Sequence, residues 1–84
     1  MNYRVYICQE AVDAIEKFRG KKRKLLANYV RNLEDDPFNE GDFSEHDDSG
    51  REYYTKIILD QAISFYPDHA LKEIKVLQIS RADR

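Results

Sequence analysis

The chain has 84 residues, 42% hydrophobic and 36% charged, with a formal net charge of −2. That length accommodates a single domain spanning 1–84 with one small core, and no apolar run nears the roughly 18 residues of a membrane span. The lone cysteine, Cys8, excludes an internal disulfide and fits a reducing compartment, and the start MNYRVYIC is too short and too polar for a signal peptide, so a soluble, cytoplasmic protein is expected.

Tyr3, Val5 and Ile7 alternate with Arg4, Tyr6 and Cys8, which predicts an opening strand over 3–8. From Gln9 the period changes. Val12, Ile15 and Phe18, flanked by Ala11 and Ala14, recur at helical spacing up to Gly20, the expected stop. A second helix is predicted from Lys21 to Leu33, with Leu25, Leu26, Tyr29, Val30 and Leu33 as its apolar stripe. Lys21, Lys22, Arg23 and Lys24 crowd the N-terminal end of that helix, where the dipole disfavours cations by about 0.3–1 kcal/mol each. The cluster reads either as a solvated face or, with Arg51, as a phosphate-facing nucleic-acid contact.

Glu34 to Gly50 is acidic, carries Pro37, Gly41 and Gly50, and shows no periodicity, so a loop is expected, with Phe38 and Phe43 tucked back onto the body. Arg51 to Ser80 reads as three strands. Tyr53, Thr55, Ile57 and Leu59 alternate with Tyr54, Lys56 and Ile58, and a break follows at Asp60-Gln61. Ala62 to Tyr66 forms the next run, with Pro67-Asp68 assigned to a turn because proline offers no N–H to a ladder. Leu71 to Ile79 closes the series, Ile74 and Val76 on one face and Leu77 and Ile79 on the other. The order β-α-α-β-β-β predicts an α+β fold, a helical hairpin packed on an antiparallel-dominated sheet.

Chemistry is sparse. Glu45-His46-Asp47-Asp48 has neither the ligand ladder of a calcium loop nor zinc spacing, and no metal site or cofactor is expected. Cys8 has no histidine near it in sequence, and no nucleophile or phosphate-loop motif occurs. Metal-independent phosphodiester cleavage needs a base, an acid and cations for the developing charge. Lys56, Arg81 and Arg84 are the candidate cations, and Tyr66, Asp68 and His69 the candidate proton-transfer groups. Tyr53, Tyr54 and Tyr66 read either as core and cross-strand pairs or as platforms for stacked bases.

This order of elements, with Tyr3-Arg4-Val5-Tyr6, Arg51-Glu52-Tyr53-Tyr54-Thr55-Lys56-Ile57 and Val76-Leu77-Gln78-Ile79-Ser80-Arg81, resembles the RelE/ParE superfamily of toxins from type II toxin–antitoxin modules. The resemblance covers nearly the whole chain. It implies a small cytoplasmic toxin held inactive by a cognate antitoxin, cutting messenger RNA on the ribosome or inhibiting DNA gyrase. It also implies a cationic catalytic surface of Lys56, Arg81 and Arg84, to which the residues themselves add His69 as the acid/base candidate. The family's third strand usually bears an arginine in a Tyr-Arg-x-x-Tyr pattern, whereas Gln61 to Tyr66 has none, and the sequence ends at Arg84 without the family's C-terminal helix. Those departures admit a second reading, a catalytically inactive binding module or decayed toxin on the same fold.

Overall fold

The computed structural model describes residues 3–82. A first strand, β1 (Arg4–Ile7), leads into helix α1 (Gln9–Glu16) and helix α2 (Gly20–Asn32), which ends in a single 3-10 turn, Leu33–Asp35. Four further strands follow: β2 (Phe43–His46), β3 (Glu52–Ile58), β4 (Gln61–Asp68) and β5 (Glu73–Arg81). They form one sheet in the order β1-β5-β4-β3-β2, with β1 parallel to β5 and every other pair antiparallel.

The core follows the alternation of the sequence. Ile63 and Phe65 of β4 and Ile74, Val76 and Ile79 of β5 meet Ala11 and Ile15 of α1 and Leu26 and Val30 of α2, with Leu33 closing the end. Phe65, Leu26, Leu33, Ile63, Ile74 and Val76 are the largest fully buried side chains. Removing their apolar surface from water supplies the main drive to fold. The helices cover one face of the sheet, so the sheet is left with one covered and one open face.

Four features depart from the expectations. The acidic segment is not all loop, because Phe43 to His46 pairs with Thr55 to Glu52 as an edge strand. All four β2 residues are exposed, so its register comes from backbone pairing and it leaves no apolar periodicity to read. Asp42 extends the pairing: its N–H donates to the Thr55 carbonyl at 2.8 Å and its Oδ2 accepts from the Ile57 N–H at 2.8 Å. Gly41 must precede it, since φ is +63° there and a Cβ would stand 2.6 Å from the Thr55 carbonyl oxygen.

The second departure is Pro67, which lies inside β4 opposite Ile74. The register with β3 ends at Tyr54↔Phe65, so β4 has parted from β3 before Pro67, and a missing N–H breaks no ladder there. The turn falls instead on residues 69–72. Likewise the β3–β4 turn is Leu59-Asp60, with Leu59 at φ 57°, and Gln61 already belongs to β4.

Third, Ile79 is buried with Ile74 and Val76 while Leu77 is 41% exposed. Ser64 pairs with Gln78 but Phe65 with Val76, so Leu77 is an extra residue in a bulge that reverses the alternation. Fourth, the two phenylalanines of the acidic segment do not tuck away. Phe43 is 45% and Phe38 62% exposed, although Phe38 lays one ring face on His69 at 4.8 Å between centroids. Gly20, at φ +62°, turns the chain between the helices and begins α2 rather than ending α1 at that point.

Candidate functional site

Cross-strand partners share a face, so the register sorts every strand residue to one side of the sheet. Lys56 pairs with Ile63, which is fully buried under the helices. Lys56 therefore lies on the covered side, near the β2 edge that the helices do not reach, and its Nζ is 3.1 Å from Asp42 Oδ1. The Ile57 N–H, and then the Lys56 ammonium, hold the Asp42 carboxyl below the ordinary range. Tyr54, opposite Phe65, is also on the covered side, which settles it as a packing residue.

The open face has two zones. The first is a trough of about 590 Å³ lined by Phe43, Thr55, Ile57, Ala62, Ser64, Gln78, Ser80 and Arg81. Thr55 is 3% exposed, and among the described residues its Oγ1 has no hydrogen-bond partner. A buried hydroxyl without a partner is costly, and such a group often marks a place where a ligand or water completes the set.

The second zone is aromatic and charged. Glu45 pairs with Tyr53, Tyr66 with Lys75, and Lys75 with Tyr6. Tyr53 lies one residue beyond the Tyr54↔Phe65 pair, where the β3–β4 register ends, and faces the open side as Thr55 does. Tyr66, Lys75 and Tyr6 thus form one row across β4, β5 and β1, and Glu45 and Tyr53 face the same side on β2 and β3. A hydrogen bond to Glu45 raises the hydroxyl pKa of Tyr53. Arg51 places its guanidinium 4.7 Å from the Tyr66 ring centroid and donates to the Tyr66 hydroxyl at 3.1 Å. At the other end Arg4 donates to Tyr6 at 3.5 Å. β4 itself presents Ala62, Ser64, Tyr66 and Asp68 to this side, so the guanidinium over it comes from Arg51, just before β3.

The residues expected to act together are not gathered. Arg81 ends β5 opposite Gln61, whereas His69 lies just past the far end of β4. At about 3.3 Å per residue, the eight steps from Gln61 to His69 separate them by roughly 26 Å. His69 Nδ1 is 2.6 Å from the Tyr3 hydroxyl, and His69, Tyr3 and Phe38 form an aromatic cluster at the sheet's end. Arg84 lies outside the described residues. In the basic cluster, Lys22 pairs with Asp60 at 2.8 Å and sits over the Phe18 ring at 4.7 Å, which offsets its unfavourable place at the start of α2. Lys21, Arg23 and Lys24 are exposed, and Arg23, Lys24 and Arg31 flank a shallow groove of about 600 Å³ along α2. Arg51 is not part of that cluster, because it belongs to the open face.

The acidic motif resolves into pieces. Glu45 faces the open side, while Asp47 Oδ1 accepts from the N–H and hydroxyl of Ser49 and from the Arg51 N–H, closing the β2–β3 turn. No group of three His, Cys, Asp or Glu side chains converges among the described residues as a metal site requires.

The whole chain superimposes on a chain of the archaeal RelE–RelB complex from Pyrococcus horikoshii, with a TM-score of 0.81 at 20% identity, covering 100% of this chain and 99% of that one. The fold is RelE-like. A chain of the RelBE2 toxin–antitoxin complex from Mycobacterium tuberculosis aligns with a TM-score of 0.75 at 11% identity, covering 96% of this chain and 99% of that one. No protein-family model and no curated protein matches the sequence. The RelE-like fold is therefore carried by the placement of apolar residues and turns, with little else of the sequence in common.

Proposed function

We propose that this chain is a RelE-like toxin that blocks translation of messenger RNA and is neutralised by a cognate antitoxin. The observation that carries the reading is the full-length likeness to chains of two toxin–antitoxin complexes, joined to a sheet face that no element among the described residues covers. On that face Arg51 is the cation placed to meet a developing phosphorane charge, with Arg81 at the rim of the trough, and Glu45, hydrogen-bonded to Tyr53, is the carboxylate for proton transfer. Lys56 and His69 act on this reading as structural groups, through Asp42 and Tyr3.

Induced expression without a partner is expected to arrest growth within a few generations. An Arg81→Ala, Arg84→Ala double variant relieves the arrest, and co-expression of the antitoxin abolishes it. Added to translating ribosomes, the purified protein produces cuts at fixed codon positions. Undisturbed growth under full expression would sink the proposal, and loss of DNA supercoiling with intact messages would move the target to gyrase.

A second reading is supported by the separation of His69 from Arg81 and of Lys56 from the open face. It is a binding module of the same fold without cleavage. Intact messages and intact supercoiling in the presence of a co-purifying antitoxin would favour it.

A further inference from the structure

Thr55 is buried on the face that the helices leave open, so its cover is local. Its neighbours on that face are Tyr53 and Ile57 along β3, Ser64 on β4 and Phe43 on β2. Only Phe43 comes from the edge of the sheet. β2 pairs with β3 alone and all four of its side chains are exposed, so no core packing holds it down. Gly41 and Gly50, at φ +63° and +89°, bound the segment that carries it.

One side chain ties this segment to helix α2. Asn39 Oδ1 accepts from the Tyr29 hydroxyl at 2.9 Å and from the Gly41 N–H at 2.7 Å, while Asn39 Nδ2 donates to Asp36 Oδ2 at 3.1 Å. The Gly41 N–H can only donate, which fixes the orientation of the amide. Before Asn39 the chain is anchored, because Pro37 is buried and Phe38 lies on His69. After it, Gly41 delivers Asp42 to its bonds with Thr55, Lys56 and Ile57. The Tyr29 ring meets Phe65 of the core at 6.0 Å between centroids, so its hydroxyl is presented from a fixed base. A series of hydrogen bonds thus runs from α2, on the covered side, to the rim of the trough.

We propose that Asn39 is a latch and that residues 40–47 are a lid at the rim of the trough. Latched, the lid sets Phe43 across from Thr55 and Glu45 beside Tyr53. Released, it uncovers the Thr55 hydroxyl, which has no partner among the described residues, and withdraws Glu45 from the site. Asn39 is then a positioning residue that acts through β2. Opening breaks the pairing of a four-residue strand and the Asp42 clasp, and it uncovers little new apolar surface on β2 because Phe43 is already 45% exposed. Such an opening belongs to the low-cost end of local unfolding. The lid rests on the toxin reading only for what the trough receives, since its motion is measured without any activity.

The test is hydrogen exchange of the full chain read by mass spectrometry. Where exchange follows the opening equilibrium, losing one hydrogen bond of ordinary net strength raises the open population by about two- to tenfold. Tyr29→Phe, which keeps the ring on Phe65, is expected to speed exchange at residues 42–47 by that factor. Asn39→Ala loses both accepting bonds and speeds it by about five- to hundredfold. Amides of β4 and β5 keep their wild-type rates. The double variant Asp36→Asn, Asn39→Asp keeps an acceptor at 39 and a donor at 36, and returns the lid to within about threefold of the wild type. In a Cys8→Ser background, the thiol of Thr55→Cys is alkylated faster by the same factors when Tyr29→Phe or Asn39→Ala is added. Wild-type exchange at residues 42–47 in both latch variants, a rise spread evenly over β4 and β5, or alkylation indifferent to the latch would each overturn the lid. Growth arrest by a chain whose latch variants exchange like the wild type would refute the lid and leave the toxin reading standing. A working latch in a chain that never arrests growth does the opposite.

Discussion

The sheet presents a core to the helices on one side and an open face on the other, and along a strand the two differ by one residue of offset. On β4 the covered side is Ile63 and Phe65, 0% and 1% exposed, whereas the open side is Ala62, Ser64 and Tyr66. The covered face is closed by apolar packing that needs no particular partner. Polar and aromatic groups line the open face, and one of them, Thr55, is buried without a bond. Packed and open positions thereby alternate along one stretch, so neighbouring substitutions should have unlike consequences.

The sharpest way to break this division is to truncate one residue from each face. Phe65→Ala is expected to cost about 3–5 kcal/mol, the usual range for a large buried aromatic, as measured by urea denaturation. Tyr6→Ala on the open face is expected to cost less than about 1 kcal/mol. Equal losses would mean that the open face is part of the folding core.

Thr55 tests the division from the other side. Replacing its unpartnered hydroxyl by a methyl, Thr55→Val, is expected to raise stability by about 1 kcal/mol and to weaken the growth arrest. A destabilised variant would reveal that the hydroxyl is already satisfied, for instance by water, and would remove the case for an open site in the trough.

The smallest effect comes from the acidic clasp at the sheet's edge. Asp42 titrates below its ordinary value of 3.8 because it accepts from the Ile57 N–H and from Lys56, and Asp60 does so because of Lys22 and then Gln61. Carboxyls lowered by folding contribute stability that is present above the ordinary value and lost as pH falls through the folded one. The urea midpoint of the wild type should therefore fall below about pH 4, and Asp42→Asn should flatten part of that slope. Identical profiles would show that the clasp contributes nothing. Tyr29, whose hydroxyl is pushed up to about 12 chiefly by burial, stays protonated throughout this range and keeps its 2.9 Å bond to Asn39.

The fold was largely legible because it rests on alternation and helical spacing, which survive in Tyr3-Val5-Ile7, in Leu26-Val30-Leu33 and in Ile63-Phe65. What could not be read was set by backbone. The bulge at Leu77 carries no residue signature, and β2 is held chiefly by its N–H and carbonyl groups. Pro67 misled because its harm depends on whether a neighbour strand is present, a fact of three dimensions. The site was harder still. Tyr53 and Tyr66 were candidates for stacking, but choosing between them and Tyr54 required the register. Tyr6, Lys75 and Arg4 gave no signal until β1 was seen to lie beside β5. Lys56 and His69 were singled out by chemistry alone, and distance separates them from the rest.

The parallel pairing of β1 with β5 joins Arg4 to Glu73, residues 69 apart. A ribosome adding about 5–20 residues per second needs roughly 3–14 s to travel that interval. Throughout it Val5 and Ile7 have no sheet to join, and Tyr6 has no Lys75 beside it. The open face thus comes into being only after the helices have been made, at the close of a long-range contact that also slows folding. A partner that recognises the finished sheet must wait for it, whereas one that grips α1 and α2 can engage the chain while the sheet is still incomplete.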